Sequence, residues 1–62
     1  MAEKFSVIIP AYNEEKAIGQ IINDLNKVMS KTGAAYEIIV VDDNSSDGTN
    51  SIALSKGVTV LQ

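Results

Sequence analysis

The sequence contains no cysteine and no histidine. Those absences exclude a disulfide framework, a thiolate-ligated zinc site and any Ser-His or Cys-His nucleophile pair within the chain. Arginine is missing too: the five basic residues are all lysine, against eight acidic ones, for a net charge of −3. No stretch has the basic footprint with which proteins grip nucleic acid or an anionic membrane surface. Long apolar runs are absent, and none approaches the roughly 20 residues that a membrane-spanning helix needs. Met1-Ala2-Glu3-Lys4 leads straight into a strand, without the apolar core of a signal peptide. The composition therefore predicts a soluble, cytoplasmic chain with no nucleic-acid partner and no transmembrane segment. What remains is a chain of 62 residues, 45% of them apolar. That is enough for one small domain, and a domain this size buries only about 60% of the surface its unfolded chain exposes.

The most informative stretch is Glu37-Ile38-Ile39-Val40-Val41-Asp42-Asp43-Asn44-Ser45-Ser46-Asp47-Gly48-Thr49. An unbroken run of β-branched apolar residues does not alternate, so it reads as a strand buried on both faces, the usual state of a central parallel strand. The two adjacent aspartates are expected where the strand emerges, since neither carboxylate belongs in a dry interior. In open α/β sheets the crevice beyond the carboxyl ends of the strands is where ligands bind. Asn44 to Thr49 supplies turn formers and a helix start, with Ser46 or Asp47 able to cap.

The other elements follow in order. Phe5-Ser6-Val7-Ile8-Ile9 reads as the first strand, closed by Pro10, which has no amide hydrogen for a ladder. Ala11-Tyr12-Asn13 is then a loop, with Asn13 as the expected helix cap and Glu14 and Glu15 in the first turn. Ile18, Ile21, Ile22, Leu25, Val28 and Met29 form an apolar stripe at helical spacing. Lys27 and Lys31 suit the C-terminal end of that helix, and Gly33 ends it. A second helix, roughly Thr49 to Lys56, stops at Gly57, and Val58-Thr59-Val60-Leu61 is the third strand. The fold class is α/β: β-α-β-α-β with a parallel three-stranded sheet, one half of a Rossmann-like, doubly wound architecture.

Neighbouring first and second strands would place Tyr12, Asn13 and Glu14 beside Asp42 and Asp43. A dinucleotide site does not fit, because the turn after the first strand has no glycine for close approach to a pyrophosphate. A divalent metal held by the adjacent aspartates fits poorly, since successive strand side chains point in opposite directions. Recognition of a base and its ribose fits better. An ionised carboxylate only accepts hydrogen bonds, which matches the N3–H of uracil or the N1–H and amino edge of guanine. Tyr12 can lie against the base, and Glu14 can accept from a ribose hydroxyl. The plainer alternative makes Asp42, Asp43 and Asp47 turn and cap residues only.

Val7-Ile8-Ile9-Pro10-Ala11-Tyr12-Asn13-Glu14-Glu15, followed at this spacing by Glu37 to Thr49, resembles the start of the family 2 glycosyltransferases. These have the GT-A fold and include dolichyl-phosphate mannose synthases and polyprenyl-phosphate glucosyltransferases. The resemblance spans nearly the whole chain, but only the first quarter or so of such a catalytic domain. It implies that residues 1–62 are the N-terminal nucleotide-binding segment of a truncated domain. It also implies that Pro10, Tyr12, Glu14, Val41 and Asp43 hold the nucleotide of a UDP- or GDP-sugar, with Asp43 reading the base. The parent reaction would transfer the sugar to an acceptor such as a polyprenyl phosphate, with Mg²⁺ or Mn²⁺ on the diphosphate. The family's metal-binding Asp-x-Asp and its acidic general base lie downstream and have no counterpart here. No catalytic or metal-binding residue is therefore assigned, and the isolated chain is expected to be inactive.

The alternative is a non-catalytic small α/β module that binds nucleotide or associates with itself. Either way, the first strand is expected to be an open apolar edge, which favours a homo-oligomer paired through that strand.

Overall fold

The computed structural model of the protein describes residues 4–62, so Met1-Ala2-Glu3 lies outside the described residues. Five elements alternate: β1 (Lys4–Ala11), α1 (Ile18–Ser30), β2 (Ala35–Asp42), α2 (Thr49–Ser55) and β3 (Thr59–Leu61). The strands form one parallel sheet in the order β1-β2-β3. The register runs from Lys4 opposite Ala35 to Ala11 opposite Asp42, and from Ile39 opposite Thr59 to Val41 opposite Leu61. This is the β-α-β-α-β arrangement of a Rossmann-like sheet.

Both helices lie on the same side of the sheet. Alternate strand residues point to opposite faces. The core joins Ala11, Ile38 and Val40 of the sheet to Ile18 and Ile22 of α1 and Ala53 of α2. Val7, Ile9, Tyr36 and Val60, on that same sheet face, pack against it. The opposite face carries Ile8, Val41 and Leu61, which remain 54%, 37% and 51% exposed. A run of apolar residues on both faces is the pattern of a doubly covered strand, and here one cover is missing.

Several expectations are corrected. Pro10 does not close β1; it sits inside the strand, opposite Val41 in the register, with Ala11 still paired beyond it. An edge strand tolerates proline because one side of its ladder is free. Asn13 is not a helix cap. Its φ of 51° is left-handed, and the helix starts later, at Ile18, with Ala17 in the cap position and no side-chain cap bond. Between them the Glu14 carbonyl accepts from the Ala17 and Ile18 amides at 2.9 and 2.7 Å, forming a separate turn. Glu14 and Glu15 therefore precede the helix, whose first turn has no acidic residue. The apolar stripe is narrower than its sequence spacing suggests, since Ile18 and Ile22 are buried while Ile21 and Val28 stay 37% and 61% exposed. The third strand starts at Thr59, leaving Val58 as a half-buried residue ahead of it.

Candidate functional site

The site is assembled where β1 and β2 end side by side. Ala11 and Asp42 are the last paired residues, and one residue on, the Asp43 amide donates to the Ala11 carbonyl at 2.8 Å. That bond holds the start of both loops together. Each chain then turns through an asparagine in the left-handed region, Asn13 at φ 51° and Asn44 at φ 57°. Asparagine adopts that conformation more readily than most residues because its short polar side chain can bond locally.

The two loops are stitched by side chains that replace backbone pairing. The Asn13 amide donates to the Ser45 hydroxyl at 2.8 Å, and the Ser46 amide donates back to Asn13 Oδ1 at 2.9 Å. Glu14 N–H donates to Thr49 Oγ1 at 2.7 Å, and Glu15 N–H to Asp47 Oδ2 at 3.2 Å. The Gly48 amide reaches Glu15 Oε2 at 3.2 Å in return. Loop amides that no strand or helix satisfies are thus paired across the gap.

Asp42 lies beneath this lattice, 1% exposed. This corrects the expectation that both aspartates emerge from the sheet: Asp42 points to the helix-covered face, whereas Asp43 is exposed. Burial of Asp42 is tolerated because Oδ1 accepts both the Ser45 hydroxyl and, at 3.1 Å, the Ser45 amide. The hydroxyl bond holds its pKa below the usual aspartate value, although burial pushes the other way. Among the described residues, Asp42 Oδ2 has no hydrogen-bond partner. Asp47 is held below its usual value in the same manner, chiefly by the Thr49 hydroxyl.

An open pocket of about 510 Å³ sits over the strand tips. Pro10, Tyr12, Glu14, Val41 and Asp43 all line it, joined by Ala11, Asp42 and Gln62. The structure therefore brings every expected site residue to one place. Tyr12 is 58% exposed, leaving its ring free to meet a ligand. Pro10 and Val41, side by side in the register, provide an apolar floor, and Asp43 and Glu14 provide hydrogen-bond acceptors. Such a surface suits a planar group with donor edges. No group of three or more acidic, histidine or cysteine side chains among the described residues could hold a metal ion. Asp42 and Asp43, facing opposite ways, do not fit the divalent metal expected of the parent enzyme.

Sequence reading placed Asp42 in this region but missed Ser45, Thr49 and Gln62 as parts of it. Asn44 to Thr49 was legible as a turn and helix start. Its short hydroxyl and carboxyl side chains, however, bond to residues 32 to 35 positions away, and no local pattern announces such partners.

A parallel sheet with an acidic, aromatic-lined crevice at the carboxyl ends of its strands is the open α/β arrangement, in which ligands bind beyond the strand ends. The family model for glycosyl transferase family 2 matches residues 6–62, and the chain belongs to that family. It is 43% identical over 60 residues to an uncharacterized protein of Methanocaldococcus jannaschii, covering 97% of this chain and 23% of that one. It is 47% identical over 55 residues to protein RfbJ of Shigella flexneri, covering 89% and 40% respectively. Among solved structures it resembles mannosyl-3-phosphoglycerate synthase of Rubrobacter xylanophilus, with a TM-score of 0.85 and 30% identity, over 95% of this chain and 19% of that one. Glucosyl-3-phosphoglycerate synthase of Mycobacterium tuberculosis, solved with Mn²⁺, UDP and glucosyl-3-phosphoglycerate, matches with a TM-score of 0.78 and 32% identity, over 94% and 20%. The chain thus spans well under half the length of each of these relatives.

Proposed function

We propose that this chain is the N-terminal donor-nucleotide segment of a glycosyltransferase that uses a UDP- or GDP-sugar. The carrying observation is the convergence of Pro10, Tyr12, Glu14, Val41 and Asp43 on one pocket at the strand tips. In this reading the base stacks on Tyr12 over the Pro10–Val41 floor, Asp43 accepts from the base N–H, and Glu14 accepts from a ribose hydroxyl. UDP in the mycobacterial relative supports the donor class, and its Mn²⁺ supports a divalent ion in the parent enzyme. Among the described residues that ion finds no donor cluster, so in this reading they supply the base pocket and not the diphosphate clamp. The acceptor belongs to the proposal as well: the family resemblance favours a polyprenyl phosphate, and the phosphoglycerate product in the mycobacterial relative makes a small phosphorylated acid the comparison to run. We propose further that the chain associates with itself through β1.

Titration of the chain with UDP, GDP and ADP, followed by amide NMR, tests the pocket. Without a diphosphate clamp the affinity should be in the millimolar range, about −4 kcal/mol. UDP or GDP should shift Tyr12, Glu14 and Asp43, and Asp43→Asn should weaken binding several-fold, since the neutral amide keeps one acceptor oxygen of the carboxylate's two and loses the charge that strengthens the bond. Equal shifts with ADP, or shifts confined to other residues, would remove the reading. Sugar transfer or donor hydrolysis with added Mn²⁺ should be undetectable; turnover that Asp43→Ala abolishes would contradict the claim that the chain lacks catalytic parts.

A further inference from the structure

The pocket residues do not hold their own positions. Tyr12 is exposed, and its place is set by the peptide groups on either side of it. On one side the Ala11 carbonyl is fixed by the Asp43 amide at 2.8 Å. On the other the Asn13 amide is fixed by Ser45 Oγ at 2.8 Å. A serine hydroxyl has one proton and two lone pairs. Ser45 gives that proton to Asp42 Oδ1 and so turns a lone pair towards Asn13. The orientation is enforced because an ionised, buried carboxylate accepts only, and the Ser45 amide donates to the same oxygen.

We propose that Asp42 and Ser45 are positioning residues for nucleotide recognition: the buried carboxylate orients the Ser45 hydroxyl, which pins the Asn13 amide and so sets Tyr12 against Asp43. The two aspartates then divide the work by the face they occupy. Asp43, exposed at the pocket, meets the ligand, while Asp42, 1% exposed, builds the loop that presents the stacking ring. This inference rests on the nucleotide reading above and adds two residues which touch no ligand in it. It also accounts for a charged group beneath the loop, since a charge-assisted bond to a carboxylate is about twice as strong as a neutral one and fixes a hydroxyl rotor more firmly.

Ser45 is only half-buried, so Ser45→Ala should fold, whereas Asp42→Ala would leave the Ser45 amide without its acceptor. The test therefore uses Ser45→Ala and Ser45→Thr in the 62-residue chain. Two readouts are taken: hydrogen exchange of the Asn13 amide without ligand, and nucleotide affinity by NMR titration. Ser45→Ala should speed Asn13 exchange at least tenfold and weaken UDP or GDP binding about fivefold, with the remaining amide spectrum unchanged. Ser45→Thr, which keeps the hydroxyl, should restore both to within about twofold. Wild-type affinity in Ser45→Ala, or failure of Ser45→Thr to restore it once Asn13 protection has returned, would overturn the positioning role while leaving the nucleotide pocket standing. Failure of the unaltered chain to bind either nucleotide would overturn the pocket and the positioning role together, and unchanged Asn13 exchange in Ser45→Ala would overturn the relay on its own.

Discussion

At the scale of single residues, the acidic groups sort into those that meet solvent and those that hold loops. Asp42 and Asp47 both accept from hydroxyls and have lowered pKa values, and Glu37 is lowered by the Ser6 hydroxyl and the Lys4 charge. A lowered folded pKa means that the folded state binds fewer protons than the unfolded one on acidification. The stability these groups contribute is therefore fully present above the ordinary carboxylate values, about 3.9 for aspartate and about 4.3 for glutamate. It is lost as pH falls through their depressed folded values. Urea unfolding of the chain should show a falling midpoint through that acid window. Asp47→Asn should lower the midpoint at pH near 7 and flatten its acid limb, because the titrating acceptor of Thr49 and Glu15 has been removed. An acid limb as steep as that of the unaltered chain would place the pH dependence elsewhere.

At the scale of elements, hydrophobic period and turn chemistry made most of the fold legible. β2 could be read because four consecutive β-branched residues admit little else, and α1 because its apolar positions recur at helical spacing. What could not be read was how much of each face the neighbours cover. Ile22 and Val28 were read into one apolar stripe, yet one is fully buried and the other 61% exposed; six residues apart, they lie about 120° apart round the helix. Ile22→Ala should cost about 2–5 kcal/mol, which a domain this small cannot spare, whereas Val28→Ala should change the urea midpoint little. Circular dichroism with denaturant melts distinguishes them, and similar losses would mean that α1 is rotated from the orientation described. The loop geometry of the site was illegible for another reason. Asn13 looked like a cap because asparagine favours caps, but it favours left-handed turns as well. Only the position of Ser45 and Ser46 across the gap decides between them. Gly57 shows the complementary case, in which sequence sufficed: it ends α2 at φ 79° with nothing within 4 Å of an added Cβ. Gly57→Ala should therefore destabilise by about 1 kcal/mol through backbone strain alone, and Gly57→Asn by less.

At the scale of the whole molecule, the sheet has more apolar surface than its two helices cover. Among the described residues β1 is an edge strand with a free row of backbone groups, and Ile8 within it is 54% exposed. Free edges and bare apolar faces favour association, the first by pairing backbone groups and the second at roughly 25 cal/mol per Å² of apolar area removed from water. The structure also adds two restraints. Pro10 lies inside β1 and donates no hydrogen bond, and Lys4 sits at the other end, engaged with Glu37 at 3.6 Å. The proposed pairing between copies would thereby be confined to Phe5 through Ile9, the stretch between the proline and the lysine. A closed two-fold arrangement places two copies of that stretch antiparallel and merges two three-stranded sheets into one. Sedimentation of the 62-residue chain should show concentration-dependent self-association. Ile8→Lys should suppress it by putting a solvated charge on the bare face, without disturbing the core beneath the helices. A chain that stays monomeric at high concentration while its amides from Phe5 to Ile9 are protected would defeat the open-edge argument, because those groups would then be satisfied without a second copy.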